Sequence, residues 1–349
     1  MSDVEPAPPA RHEDAAIFAC DAAHLPFAWV AARQIDRSEP ERRFDIVIAS
    51  PDIARIPRHL DDGRIRFVRL DVSAIPAITH PNPRISLGTF YRHLLPPLFR
   101  NDYRALLYMD TDTWLRRPGI GGLFARIAGD WPLAAVLAFL HVPGLRTRQS
   151  GRSRRDTRRV LADLGSSDGR YFQSGVLLIQ TGPHLAEDIT ARVLGFASER
   201  EDLLHRHKLG DQAALNGAVA DRIRTLDPRW NWHSTRWRRA DLLDRFDPWI
   251  LHFAGGEKPW LITDDPEVTR VNAAWFADLA LYDPGFRPRA MRGSLAWRRA
   301  NPPGGPGLLG ALRLGLRRRW LALRHARPPR MGPRGMAEMQ RLIDSAEVG

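Results

Sequence analysis

Residues 104–118 read RALLYMDTDTWLRRP. An apolar run ends abruptly in two carboxylates, Asp110 and Asp112, spaced i, i+2. In extended chain that spacing puts both side chains on one face. Two carboxylates on one face repel unless a cation lies between them. Hard divalent ions such as Mn²⁺ or Mg²⁺ suit oxygen ligands, including the oxygens of a diphosphate. The placement also fits, because open α/β sheets bind ligands at the carboxyl ends of their strands.

Similar apolar runs recur on both sides of this one. AAIFAC (15–20), FDIVIAS (44–50), IRFVRL (65–70), PLAAVLAF (132–139), SGVLLIQT (174–181) and PWILHF (248–253) read as strands. Helical stretches are expected over Phe27–Ile35, Ile85–Leu98 with a stop at Pro96-Pro97, Ala186–His205 and Asp211–Ala220. Apolar runs alternating with helices imply an α/β fold with a mostly parallel central sheet flanked by helices. No Gly-x-Gly-x-x-Gly follows an apolar strand-like run, which argues against a dinucleotide fold.

The chain carries 52 basic and 40 acidic residues, a formal net charge of +12. Thirteen Arg and no acidic residue lie in 284–337, which leaves 39 basic against 40 acidic elsewhere. The basicity therefore belongs to one segment and not to the body, which argues against a nucleic-acid partner. Three segments are expected: a disordered N-terminus over 1–14, a catalytic body over 15–283, and a basic, partly helical tail over 284–349. Within the tail, 307–327 reads as an amphipathic helix. At about 100° per residue Leu308, Leu309, Leu312, Leu316, Trp320 and Leu323 share one arc. Flanking Arg make an anionic membrane surface its expected partner. A second basic run, 146–159, holds seven Arg and one Asp and is expected to contact an anionic acceptor. A single cysteine, Cys20, excludes an intrachain disulfide and a Cys-cluster zinc site. With no basic start or apolar core in the first residues and no spanning-length apolar run, a cytoplasmic setting is expected, peripheral to the inner face of the membrane.

WILHFAGGEKPW (249–260) is the second chemical signal. His252 stands inside an apolar strand and offers one imidazole nitrogen to a metal. Gly255 and Gly256 allow close approach of backbone N–H groups to phosphate oxygens, and Lys258 can neutralise a diphosphate. Only one other lysine exists, Lys208.

These segments resemble the family 8 retaining glycosyltransferases, over about Ala15 to Leu281. The resemblance is carried by ISLGTFYRHLLP (85–96), YMDTDTWL (108–115), YFQSGVLLI (171–179), GDQAALN (210–216), LDPRWNW (226–232) and HFAGGEKPW (252–260). It implies a GT-A fold and transfer of a hexose, galactose or glucose, from a UDP-sugar to a glycan or glycolipid acceptor, in the synthesis of cell-surface polysaccharide or lipopolysaccharide. It implies Asp110, Asp112 and His252 as metal ligands. Asp21, Arg92, Thr111, Gln173, Gly255 and Lys258 are implied to bind the donor, and Gln212 and Asp211 to serve catalysis. Three positions depart from the family pattern. Gln173 stands where Asn is common, Ala138 where an Asp usually follows the strand after the metal motif, and Ala213 in place of the second Asp of Asp-Gln-Asp. The first two affect the fit of the donor sugar, with His141 a possible replacement for the lost carboxylate. Those departures motivate an alternative, a catalytically degenerate nucleotide-sugar-binding or scaffold protein of the same fold.

Overall fold

The expected apolar runs form strands, and a computed structural model describes residues 8–79, 86–138, 159–166, 169–207, 210–233, 240–301, 316 and 331–349. In chain order the strands are β1 (Asp14–Ala19), β2 (Asp45–Ser50), β3 (Arg66–Arg69), β4 (Ala105–Met109), β5 (Thr113–Leu115) and β6 (Leu133–Leu137). They continue as β7 (Phe172–Gln180), β8 (Ile223–Thr225), β9 (Trp232–His233), β10 (Ile250–His252), β11 (Leu261–Ile262) and β12 (Arg289–Ala290). Seven form one sheet in the order β3-β2-β1-β4-β7-β6-β8. β7 is antiparallel to β4 and β6, and the remaining pairs are parallel. β1, β2 and β4 are buried almost throughout, which is why they read as unbroken apolar runs rather than alternating ones.

Apolar side chains cover both faces. On one, the helix Leu25–Ser38 and the helix Pro266–Tyr282 bring Trp29, Ile35, Trp275 and Leu279 against Phe18, Ile48 and Leu107. On the other, Phe90, Leu95, Val193 and Leu215 pack against Ile17, Leu106 and Leu177. The chain leaves β1 for β2 on one side, and β4 lies on the other. This reversal opens a crevice at the carboxyl ends of β1 and β4, beside Asp21 and Asp110.

Helix boundaries depart from the periodicity at two places. Leu87–Leu94 is a 3₁₀ helix, and Pro96 and Pro97 lie in the first turn of the short helix Leu95–Leu98 that follows it. Proline is tolerated in a first turn, where its missing N–H has no partner to lose. Ala186–His205 is broken into the end of Thr181–Ala186, then Ile189–Glu199 and Glu201–His207. The first break falls at Asp188, whose φ of +51° is left-handed, a conformation that Asp tolerates better than most residues.

PWILHF does not join the main sheet. β10 pairs antiparallel with β5 and parallel with β9 in a separate three-stranded sheet. The described parts of 284–349 rest on the body. β12 pairs with β11. The helix Pro333–Asp344 buries Met339 among Trp232, Leu242, Phe246 and Phe253. Val348 bridges to Leu226, and its carbonyl accepts from Asp227 N at 2.9 Å. Residues 8–14 also lie along the body, with Arg11 N donating to Asp45 at 2.8 Å and Arg66 donating to the Pro8 carbonyl. The helix read over 307–327 lies outside the described residues except for exposed Leu316. Also outside are His141, Lys208 and all of the basic run 146–159 but Arg159.

Candidate active site

The ladder between β4 and β7 continues one step past the strand, as Asp110 N donates to Gly175 O at 2.8 Å. The chain then turns. Thr113 N and Oγ1 both donate to the Asp110 carbonyl, and Thr111 is buried inside that turn. β5 leaves alongside β10 with His252 opposite Thr113. Residues 140 apart in sequence thereby meet: His252 Nε2 lies 3.3 Å from Asp112 Oδ1 and 3.7 Å from Asp110 Oδ2. One ligand atom from each of Asp110, Asp112 and His252 lies within 4.8 Å of the others.

Gly175 explains how the three fit. A Cβ at this position would lie 2.8 Å from Asp110 Oδ2 and overlap the His252 ring. A glycine is therefore required by close approach, not by its φ. The cradle it leaves is lined by two carboxylate oxygens and an imidazole nitrogen, a donor set that suits Mn²⁺ or Mg²⁺.

Two cations offset the carboxylates. Lys258 donates to Asp112 Oδ2 and, at 3.2 Å, to the Phe253 carbonyl. Burial pushes the Asp112 carboxyl up, but Lys258 and His252 outweigh it and hold it well below the usual range. Lys258 follows Gly255, whose φ of +105° is a conformation open mainly to glycine. Trp260 ends the loop, stacked on Phe27 with ring centroids 3.8 Å apart. That stack ties the loop to the helix Leu25–Ser38.

Arg92 is the second cation. It is buried, and its guanidinium touches four groups. It lies 3.1 Å from Asp110 Oδ1 and 3.3 Å from Asp211 Oδ2, and it donates to the carbonyls of Thr89 and Ser174. The Tyr108 ring lies 4.6 Å from its Cζ, and the Tyr108 hydroxyl donates to Asp110 at 2.6 Å. Burial works against the guanidinium's charge, but Asp110 and Asp211 raise its pKa above the ordinary value. Asp211 opens the helix Asp211–Val219 and accepts from Ser174 Oγ at 3.0 Å. Burial raises its pKa in spite of Arg92. Gln212 accepts from Ser174 N at 3.4 Å and is hydrogen-bonded to Tyr171.

The remaining expected residues are placed as follows. Gln173 is half-buried on β7, two residues before Gly175, and strand alternation turns it to the same face. Asp21 follows β1 at the crevice, where it accepts from Ser86 Oγ at 2.6 Å and lies 3.0 Å from His24 Nδ1. The His24 hydrogen bond lowers its pKa to about 2 against the opposing effect of burial, with a smaller contribution from Ser86. Its described contacts do not include Asp110, Asp112 or His252. Ala138 and Ala213 are both buried in the apolar core, so an acidic residue at 213 would point into that core. Tyr108, Ser174, Gly175 and Asn231 were not singled out from sequence. Ser174 and Gly175 lie in the YFQSGVLLI segment and Asn231 in LDPRWNW, so position in a motif was the available signal.

A model of the family described as Glycosyl transferase family 8 matches residues 16–264, and the chain belongs to that family. It is 29% identical over 211 residues to General stress protein A of Bacillus subtilis, covering 56% of this chain and 66% of that protein. It is 30% identical over 96 residues to the lipopolysaccharide glucosyltransferase WaaO of Escherichia coli, covering 26% of this chain and 27% of that protein. The chain thus spans just under two thirds of the first relative and about a quarter of the second. Among solved structures, it resembles the galactosyltransferase LgtC in complex with donor and acceptor sugar analogs. The TM-score is 0.59 at 22% identity, covering 75% of this chain and 95% of that one. The bifunctional glycosyltransferase WbbM gives 0.56 at 20% identity, covering 80% and 51%. These likenesses establish the GT-A fold.

Proposed function

We propose that the chain is a retaining, metal-dependent hexosyltransferase using a UDP-sugar, with galactose or glucose the transferred sugar. The observation that carries this reading is the convergence of Asp110, Asp112 and His252 at the carboxyl end of β4, with Lys258 beside them. A divalent cation held by these three would neutralise the departing diphosphate. Lys258, held beside this site by Asp112, adds a positive charge on a glycine loop. Asp211, fixed by Ser174 and Arg92, is placed to hold the donor sugar's hydroxyls. An acceptor hydroxyl attacks the anomeric carbon from the leaving-group side. As the bond to the diphosphate breaks and the new glycosidic bond forms, the acceptor proton passes to a diphosphate oxygen. Gln212 stands on the other side as an electrostatic partner for the positively charged sugar, since an amide is a weak nucleophile. LgtC has been solved with a Gln-to-Glu change in its active site, so a glutamine belongs to the active site of that protein.

The acceptor is read as a glycan or glycolipid of the cell surface, in keeping with a relative named for lipopolysaccharide. The basic segment is read as a reversible anchor to anionic membrane, and no described helix is long and apolar enough to span one. Its test is excision of residues 302–330, because truncation at Asn301 would also remove Met339 and Val348 from their packing. The excised protein should hydrolyse donor but no longer sediment with anionic vesicles. Vesicle binding equal to the full chain would end the anchor reading.

The activity itself is tested by a donor panel with and without Mn²⁺, scoring hydrolysis and transfer. One UDP-hexose should be consumed in Mn²⁺ and spared in EDTA. Binding of UDP-sugar with no turnover on any acceptor would favour the degenerate binding protein instead.

A further inference from the structure

The cation reading of Asp110, Asp112 and His252 leaves open what decides which nitrogen of His252 faces the carboxylates. We infer that Asn231 does so, as a positioning residue for the metal centre; the inference rests on that reading of the three ligands. Asn231 Oδ1 lies 2.8 Å from His252 Nδ1, and both side chains are buried. An amide oxygen only accepts, so this contact puts the ring proton on Nδ1. In the neutral ring, Nε2, which faces Asp112 and Asp110, then keeps its lone pair for a cation. A reversed amide would donate to Nδ1 and force the proton onto Nε2, closing the ring to metal.

Two further observations support the assignment. Asn231 Nδ2 is buried and has no hydrogen-bond partner among the described residues. Burying an amide donor unpaired is unfavourable, and a leucine of similar size would avoid it. Packing alone therefore does not account for an amide here, whereas the bond to His252 does. The backbone is also organised to place it. Asp227 caps the 3₁₀ turn Pro228–Asn231 by accepting from Arg229 N at 2.9 Å. β9 then begins and pairs in parallel with β10, Trp232 against Leu251 and His233 against His252. A Cβ at Gly175 would overlap the same ring at Cε1 and Nδ1, so a glycine and an amide both meet His252.

The test uses the full chain and Mn²⁺ as probe, with and without UDP, following free Mn²⁺ by electron paramagnetic resonance. Asn231→Ala should weaken Mn²⁺ binding on the order of 10- to 100-fold. Asn231→Asp keeps an acceptor for Nδ1–H and should restore most of the affinity. Asn231→Leu removes the orphaned amide donor but also the acceptor of His252 Nδ1, so it should melt close to the wild-type temperature yet bind Mn²⁺ as poorly as the alanine variant. Nitrogen hyperfine coupling to bound Mn²⁺ should be present in wild type and Asn231→Asp and lost in Asn231→Ala and Asn231→Leu. If the alanine and leucine variants keep wild-type affinity and coupling while His252→Ala loses both, Asn231 does not position the ring and the metal reading stands. If wild type binds no Mn²⁺, or His252→Ala binds it unchanged, the metal reading fails and takes this inference with it.

Discussion

Asp112 and Asp211 are both buried carboxylates, and each has a cation beside it, but the two arrangements differ in kind. The partner of Asp112 is Lys258, a partly exposed side chain on a loop that follows two glycines. The partner of Asp211 is Arg92, fully buried on a 3₁₀ helix, with Asp110 and two carbonyls also in its grasp. A flexible ammonium can leave one anion for another as a ligand arrives. A guanidinium fixed by four neighbours cannot leave without stranding buried charges. On the proposed function, the site combines a countercharge able to follow a diphosphate with one that belongs permanently to the fold.

Four measurements can break or sharpen that contrast. The largest effect is expected from Asp110→Asn and Asp112→Asn, which should each lower transfer by about 1,000-fold or more, with circular dichroism unchanged. Near wild-type turnover of either variant in Mn²⁺ would remove the metal side of the comparison. Next comes Arg92→Gln, expected to destabilise the fold by about 3–5 kcal/mol in denaturant titrations because it leaves buried carboxylates unpaired. Wild-type stability of this variant would mean that Arg92 is no permanent countercharge. Lys258→Ala should do the reverse. The fold should hold while kcat/KM for donor falls by about 100-fold and inhibition by UDP weakens; an unchanged UDP response would count against an exchanging lysine.

The smallest effect concerns pH in the metal-free protein. The folded-state pKa of Asp112 lies below its ordinary value. The stability this carboxylate contributes is therefore present above about pH 4 and is lost as pH falls below it. The gap in melting temperature between wild type and Asp112→Asn, measured in EDTA, should narrow on acidification. A gap that widened would reverse the sign of the Asp112–Lys258 interaction.

Much of the fold was legible because strands buried on both faces must be apolar throughout. AAIFAC, FDIVIAS and RALLYM could hardly be anything else. The candidate metal ligands Asp110 and Asp112 stood out because carboxylates ending such a strand are costly without a cation. The glycines before Lys258 marked a loop, where the φ of Gly255 favours glycine. What escaped notice depended on neighbours remote in sequence. Gly175 looks like any strand glycine until His252 and Asp110 are found where its Cβ would be. Arg92 carried no sign of its four partners. The 3₁₀ helix and the break at Asp188 escaped because apolar spacing is nearly the same for one helix and for several short ones.

The sequence by itself determined which segments are buried and which residue types stand at their ends, since burial and ligand chemistry are properties of single side chains and their nearest neighbours. Tertiary structure decided which charges meet. Lys258 reaches Asp112 across 146 residues, and His252 reaches it through a small sheet outside the main one. The strand order and β-pairing that create those meetings are set by packing of the whole chain. No local pattern reports them, so the choice of Asn at 231 and Gly at 175 acquires its reason only in the folded molecule.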